Sequence, residues 1–184
     1  MTTSPDTEFQ FVINADTSLC NALRRCIISS VPSIVIDSVC IKENDSPLCD
    51  EMIAHRLGLI PLRKTSQLDP TTEFKIRLEE IGPKRVYARD IVFPPGIETV
   101  SPDIILLNLA TDECIKLTGT TEEGNAVDQN HSKFSVSCGT TYKKLSDESF
   151  LFIIETSGSV GAKEALLKAI QIIKEDLIGY KKMI

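Results

Sequence analysis

Residues 150–178 read FLFIIETSGSVGAKEALLKAIQIIKEDLI. Phe150 to Glu155 is strand-sized and strongly apolar, rich in aromatic and β-branched side chains. The small residues of Thr156 to Gly161 then turn the chain. The apolar spacing that follows predicts a helix over 162–178. Ala165, Leu166, Ala169, Ile170, Ile173 and Leu177 recur along one stripe of it. Leu167, Ile172 and Ile178 fall outside that stripe, so the apolar surface is wider than one buried face requires. One side covers the helix's own sheet, and the remainder calls for a partner helix.

The rest of the chain is read outward from this strand–turn–helix. Phe9 to Ile13 is predicted to be a strand. A helix follows, with Asp16 as N-cap and a stripe of Leu19, Ala22, Leu23, Cys26 and Ile27, ended by Pro32. Asn21, Arg24 and Arg25 lie off the stripe. Ser33 to Lys42 reads as a strand. Asp50 is expected to cap a short helix, with Glu51 in its first turn, Gly58 at its end and Pro61 beyond. Short strands are expected at Phe74–Leu78, Val86–Val92, Ile104–Leu109, Cys114–Leu117 and Phe134–Tyr142, with Thr120 to His131 as a polar loop. The class is α+β.

Composition narrows the function. The net charge of −6 argues against a chain that grips nucleic acid by itself, since phosphate neutralisation needs clustered Lys and Arg. The basic pairs Arg24/Arg25, Arg63/Lys64, Lys143/Lys144 and Lys181/Lys182 are each too small to form a DNA-binding stripe. No apolar run approaches the ~20 residues of a membrane span. The first ten residues, MTTSPDTEFQ, lack the basic start and apolar core of a secretory signal. The six cysteines, at 20, 26, 40, 49, 114 and 138, form no C-x-x-C pair and lie outside metal-ligand spacing of a histidine. Reduced thiols, no zinc and no cofactor are expected. The N-x-S sequons at Asn44 and Asn130 then carry no glycan.

Three features invite an enzymatic reading, and each is weak. The Gly/Ser turn before the last helix fails the P-loop spacing, because Lys163 is not followed by Ser or Thr. It also fails G-x-S-x-G, since Ser159 sits between Gly158 and Val160. His55 has Glu51 one turn earlier but no convergent set of ligands or acid–base partners. The run His131-Ser132-Lys133-Phe134 says little alone. No catalytic residue is expected.

A different constellation is more informative. Asn21-Ala22-Leu23-Arg24-Arg25 is followed by Val31-Pro32 and then by Glu43-Asn44-Asp45-Ser46-Pro47-Leu48. Asp50 to Leu62 reads DEMIAHRLGLIPL. In order and spacing these segments resemble the D or third-largest (alpha-like) subunit family of archaeal and eukaryotic RNA polymerases. The bacterial α subunit is similar mainly at the N-A-L-R-R helix. Tyr87 to Ile91, Pro102 to Ile104, His131 to Phe134 and Phe152 to Gly158 look like further family positions, so the resemblance covers most of 8–178. The chain departs from longer members in carrying no cysteine-rich zinc loop and no iron–sulfur domain, as expected of a compact polymerase, virus-encoded ones included.

The resemblance implies that residues 1–45 and 147–184 form an αβ dimerisation subdomain and that 46–146 form an inserted β-rich subdomain. It implies a non-catalytic assembly subunit that pairs with a smaller L-like subunit and docks the second-largest subunit, among other polymerase subunits. The catalytic metal of such enzymes is held elsewhere. Sequence-specific DNA binding and membrane association are not expected, and the location is intracellular: nucleus, cytoplasm or virion. The partner-contact residues are expected to be Asn21, Arg24, Arg25, His55, Arg56, Leu59, Leu167 and Ile172. A homodimeric assembly factor and a small enzyme are the competing classes. Co-purifying large subunits, a lone dimer, or turnover by the isolated chain would tell the three apart.

Overall fold

The computed structural model describes residues 6–65 and 75–183. The elements run β1 (Glu8–Asn14), α1 (Thr17–Ser29), β2 (Ser33–Asn44), α2 (Asp50–Gly58), β3 (Leu62–Lys64), β4 (Lys75–Ile81) and β5 (Lys84–Tyr87). After these come β6 (Ile97–Thr99), β7 (Ile105–Leu109), β8 (Cys114–Gly124), β9 (Ser137–Lys144), β10 (Ser149–Thr156) and α3 (Ala162–Met183). Single 3-10 turns lie at Ala88–Asp90 and Ser132–Phe134. The architecture is α+β, as the sequence predicts. The chain divides into two compact units, one from the described residues of 1–33 and 124–184, the other from those of 34–123. The divisions fall earlier than 45 and 146, because β2 pairs into the sheet of the middle unit and β9 pairs with β10.

In the first unit β10 is the central strand of an antiparallel sheet ordered β1-β10-β9. Alternation aims Phe150, Phe152 and Ile154 inward. Their register partners on β1 are Ile13, Phe11 and Phe9. The Phe11 and Phe152 rings stack at 5.3 Å, and Tyr142 meets Phe150 edge-on at 5.7 Å. Each such pair adds roughly 0.5–1.5 kcal/mol beyond its buried area. α1 and α3 pack against this sheet and each other. Their shared core includes Leu23, Ile27, Ala165, Leu166 and Ala169.

The middle unit joins a sheet ordered β2-β8-β4 to the ribbons β3-β6 and β5-β7. Leu78 of β4 faces Leu117 of β8. These side chains, with Ile36, Ile76, Val86, Leu107 and Ile115, bury the apolar side of α2, namely Ile53 and Leu57.

Several boundaries differ from the sequence reading for local reasons. The N-cap of α2 is Cys49, and Asp50 is its first helical residue. Val86–Val92 is not one strand: the Asp90 carboxylate accepts the Tyr87 N–H at 2.7 Å and folds Ala88–Asp90 into a 3-10 turn. Likewise Phe134 sits in a 3-10 turn, and its strand begins only at Ser137. β8 continues to Gly124, into the stretch expected to be a loop. α3 continues to Met183. Phe74, expected to begin a strand, lies outside the described residues.

Candidate partner interface

Asp16 is the N-cap of α1 with extended backbone, though its carboxylate makes no capping hydrogen bond. The buried residues of the helix are Cys20, Leu23, Cys26 and Ile27. Leu19 is 47% exposed, and Ala22 is also exposed. The expected stripe is therefore rotated: Cys20, a small and readily buried side chain, takes the inward position, and Leu19 with Ala22 turns out. On the other flank Asn21 and Arg24 are half-buried, while Arg25 is exposed. The Arg24 Nη2 donates to Asn21 Oδ1 at 2.9 Å. The last turn of α1 is held by the segment before β9, where the Ser135 hydroxyl donates to the Ile28 carbonyl at 2.7 Å.

α3 buries Ala162, Ala165, Leu166 and Ala169. The alanines leave little bulk between the helices, and the Cys26 thiol reaches the Ala169 carbonyl at 3.5 Å. Ile172 and Ile173 are half-buried against the same core. Ile172, expected at a partner contact, thus belongs largely to its own unit: it lies seven residues after Ala165, about two turns on, and so on the same side of the helix. Leu167 is exposed as expected, at 58%. Ile170 and Leu177 were expected on the buried stripe and are instead 48% and 62% exposed. With Ile178 they make an apolar flank left uncovered among the described residues of the first unit.

On α2, Ile53 and Leu57 face the core, while Met52, His55, Arg56 and Leu59 are exposed. The last four recur at one-turn spacing along the outer side. Asp50 and Glu51 lie in the first turn of this helix and Arg56 in its last, each sign placed to favour the helix dipole. The Arg56 Nη2 donates to the Ile105 carbonyl. His55 is an exposed helix residue.

The turn before α3 is structural. Gly158 adopts φ 87°, where glycine is favoured, and the Ser157 and Ser159 hydroxyls hydrogen-bond at 2.9 Å. The first helical amide, that of Ala162, donates to the Asp6 carbonyl at 2.7 Å, so the chain itself occupies that donor. His131 accepts the Lys133 N–H on Nδ1 at 3.1 Å and caps a 3-10 turn. Among the described residues no group of three His, Cys, Asp or Glu side chains is placed to hold a metal. The six cysteines are free thiols.

The sequence reading missed Met52, Ile170 and the outward turn of Leu19. Met52 had a signal, since it precedes Leu59 by seven residues. The other two depended on which of several apolar residues wins the core.

An αβ unit whose two helices share a core yet leave apolar flanks uncovered is built to associate. The chain matches the RNA polymerase Rpb3/Rpb11 dimerisation domain over residues 10–177. It is 35% identical to DNA-directed RNA polymerase subunit Rpo3 of Methanocaldococcus jannaschii, over 91% of this chain and 85% of that protein. It is 27% identical to Rpo3 of Methanopyrus kandleri, over 88% and 86%. It is 33% identical to DNA-directed RNA polymerase II subunit rpb3 of Dictyostelium discoideum, over 71% and 51%. The chain belongs to the Rpb3/Rpo3 family of RNA polymerase subunits. As such it is a non-catalytic assembly subunit that pairs with an Rpb11/Rpo11-like partner.

Proposed function

We propose that the two flanks of α1 serve two partners. The apolar flank, Leu19 and Ala22 on α1 with Leu167, Ile170, Leu177 and Ile178 on α3, receives the helices of the smaller L-like subunit. The first unit is then the dimerisation subdomain, with the middle unit inserted in it. The polar flank, Arg24 with neighbouring Arg25, docks the second-largest subunit, because a guanidinium makes fixed bidentate contacts with carboxylates. In the middle unit the outer side of α2, with Met52, His55, Arg56 and Leu59, is a further docking surface.

The observation that carries this reading is the exposure of Ile170 and Leu177 beside the buried face of the same helix. Exposed apolar surface of this kind marks an interaction site. The test is co-expression with the smaller subunit of the same polymerase, followed by capture on the second-largest subunit. A 1:1 heterodimer that binds the large subunit supports the reading. A stable homodimer indifferent to the small subunit refutes the first assignment. Capture unchanged in the Arg24→Ala, Arg25→Ala double variant refutes the second and leaves α2 as the docking element.

A further inference from the structure

We infer that Asn21 is a positioning residue for Arg24, holding its guanidinium ready for a carboxylate on the second-largest subunit; the inference rests on the docking reading above. The neighbouring arginines of α1 are in different states. Arg25 is exposed, and its guanidinium makes no hydrogen bond among the described residues. Arg24 is half-buried, and its Nη2 is bound to Asn21 Oδ1 at 2.9 Å, one turn earlier on the same helix. That bond uses one nitrogen of a planar fork, and the remaining N–H donors stay available.

The placement fits a contact separate from the dimer seam. At about 100° per residue, Arg24 lies about 140° around the helix from Leu19 and about 160° from Ala22. The Cys26 contact with Ala169 puts α3 on the Leu19 side of α1. A partner seated on the apolar flank therefore leaves the Arg24 flank open. Fixing a long side chain before association removes ordering entropy that binding would otherwise have to supply. Asn is also a poor helix former, and here it stands in the interior of a 13-residue helix. A residue present only for stability would be replaced by Ala with a loss. A residue present to orient Arg24 would be replaced with no loss of stability and a loss of docking.

The experiment uses the purified heterodimer with its smaller partner, titrated onto the immobilised second-largest subunit. Variants are Asn21→Ala, Asn21→Gln, Arg24→Ala, Arg25→Ala and the Asn21→Ala, Arg24→Ala double variant, each also melted. Asn21→Ala should weaken capture about 3- to 10-fold with the melting temperature unchanged or raised. Asn21→Gln, whose amide still reaches the guanidinium, should fall between wild type and Ala. In the Arg24→Ala background, Asn21→Ala should add no further loss, as for two residues acting as one unit. The inference is overturned if Asn21→Ala lowers the melting temperature, if its loss multiplies that of Arg24→Ala, or if Arg24→Ala alone matters. It also falls, with the docking reading intact, if only Arg25→Ala weakens capture. Wild-type capture by both single Arg variants and by Asn21→Ala rejects the docking reading itself.

Discussion

The Sγ of Cys26 on α1 lies 3.5 Å from the carbonyl oxygen of Ala169 on α3. Both residues are buried, and burial pushes the Cys26 thiol pKa up, so the thiol stays a donor. A longer side chain at 169 has no room without moving a helix. Ala169→Leu should destabilise the first unit by about 1–3 kcal/mol, read as a lower urea midpoint. A midpoint equal to wild type would mean that the α1–α3 packing is looser than the structure has it.

Ile170 and Ile172 separate pairing from folding. Ile170→Asp places a charge on an exposed flank and should abolish capture of the smaller subunit while changing the monomer's stability by about 0.5 kcal/mol or less. Ile172→Asp places it against the core and should cost roughly 1–3 kcal/mol of stability. Denaturation of the isolated chain beside pull-down of the smaller subunit reads both. Reversed outcomes would exchange the roles of the two positions.

Thr156 ends β10 with its hydroxyl buried and without a hydrogen-bond partner among the described residues. Thr156→Val keeps the branched shape and removes a desolvated polar atom. Stability should stay level or rise by up to about 1 kcal/mol. A fall of that size in a thermal melt would reveal a partner for the hydroxyl.

Cys114 donates its thiol to Asp45 Oδ2 at 3.0 Å, with Glu43 Oε2 at 3.6 Å. The hydrogen bond to Asp45 comes first among the causes that raise its pKa to about 11. The folded state holds this proton more tightly than the unfolded chain does. The resulting stability is complete below the ordinary thiol pKa, declines as the unfolded chain deprotonates, and is gone once the pH passes about 11. At pH 8, iodoacetamide should modify exposed Cys40 and Cys49 about tenfold faster than Cys114, since the thiolate is the reactive form. Mass spectrometry of partial labelling reads this, and Asp45→Asn should narrow the gap. Equal rates at the three sites would show that the carboxylate contact does not hold in solution.

The periodic parts of the fold were legible in the sequence. α1, α3 and β10 declare themselves because long apolar repeats have one periodicity each. Helix phase was not. In α1, Leu19 and Cys20 compete for one inward position and the smaller side chain wins. In α3, a core lined by Ala162, Ala165 and Ala169 sets the helix phase, which draws in Ile172 and leaves the equally large Ile170 outside. Hydrophobicity summed along the chain favours the large residues, whereas close helix packing favours the small ones. The 3-10 turn at Ala88–Asp90 was hidden for another reason: it depends on one carboxylate, Asp90, bonding a backbone amide three residues earlier. For the proposed interface, Arg24, Arg25 and Leu167 are readable as residues with no place in a core. Whether one of them was already tied down could not be read from spacing.

The pairing of β1 with β10 sets an order of events during synthesis. β1 leaves the ribosome well before β10 and must wait for it. Residues 34–123 have their partners within reach and can close in the meantime. At translation rates of about 5–20 residues per second, the apolar side of α1 stays unshielded for on the order of ten seconds. The proposed dimerisation surface needs both α1 and α3, so partner loading has to follow the emergence of α3. An excess of the smaller subunit could not hasten it, and a chaperone that holds α1 could.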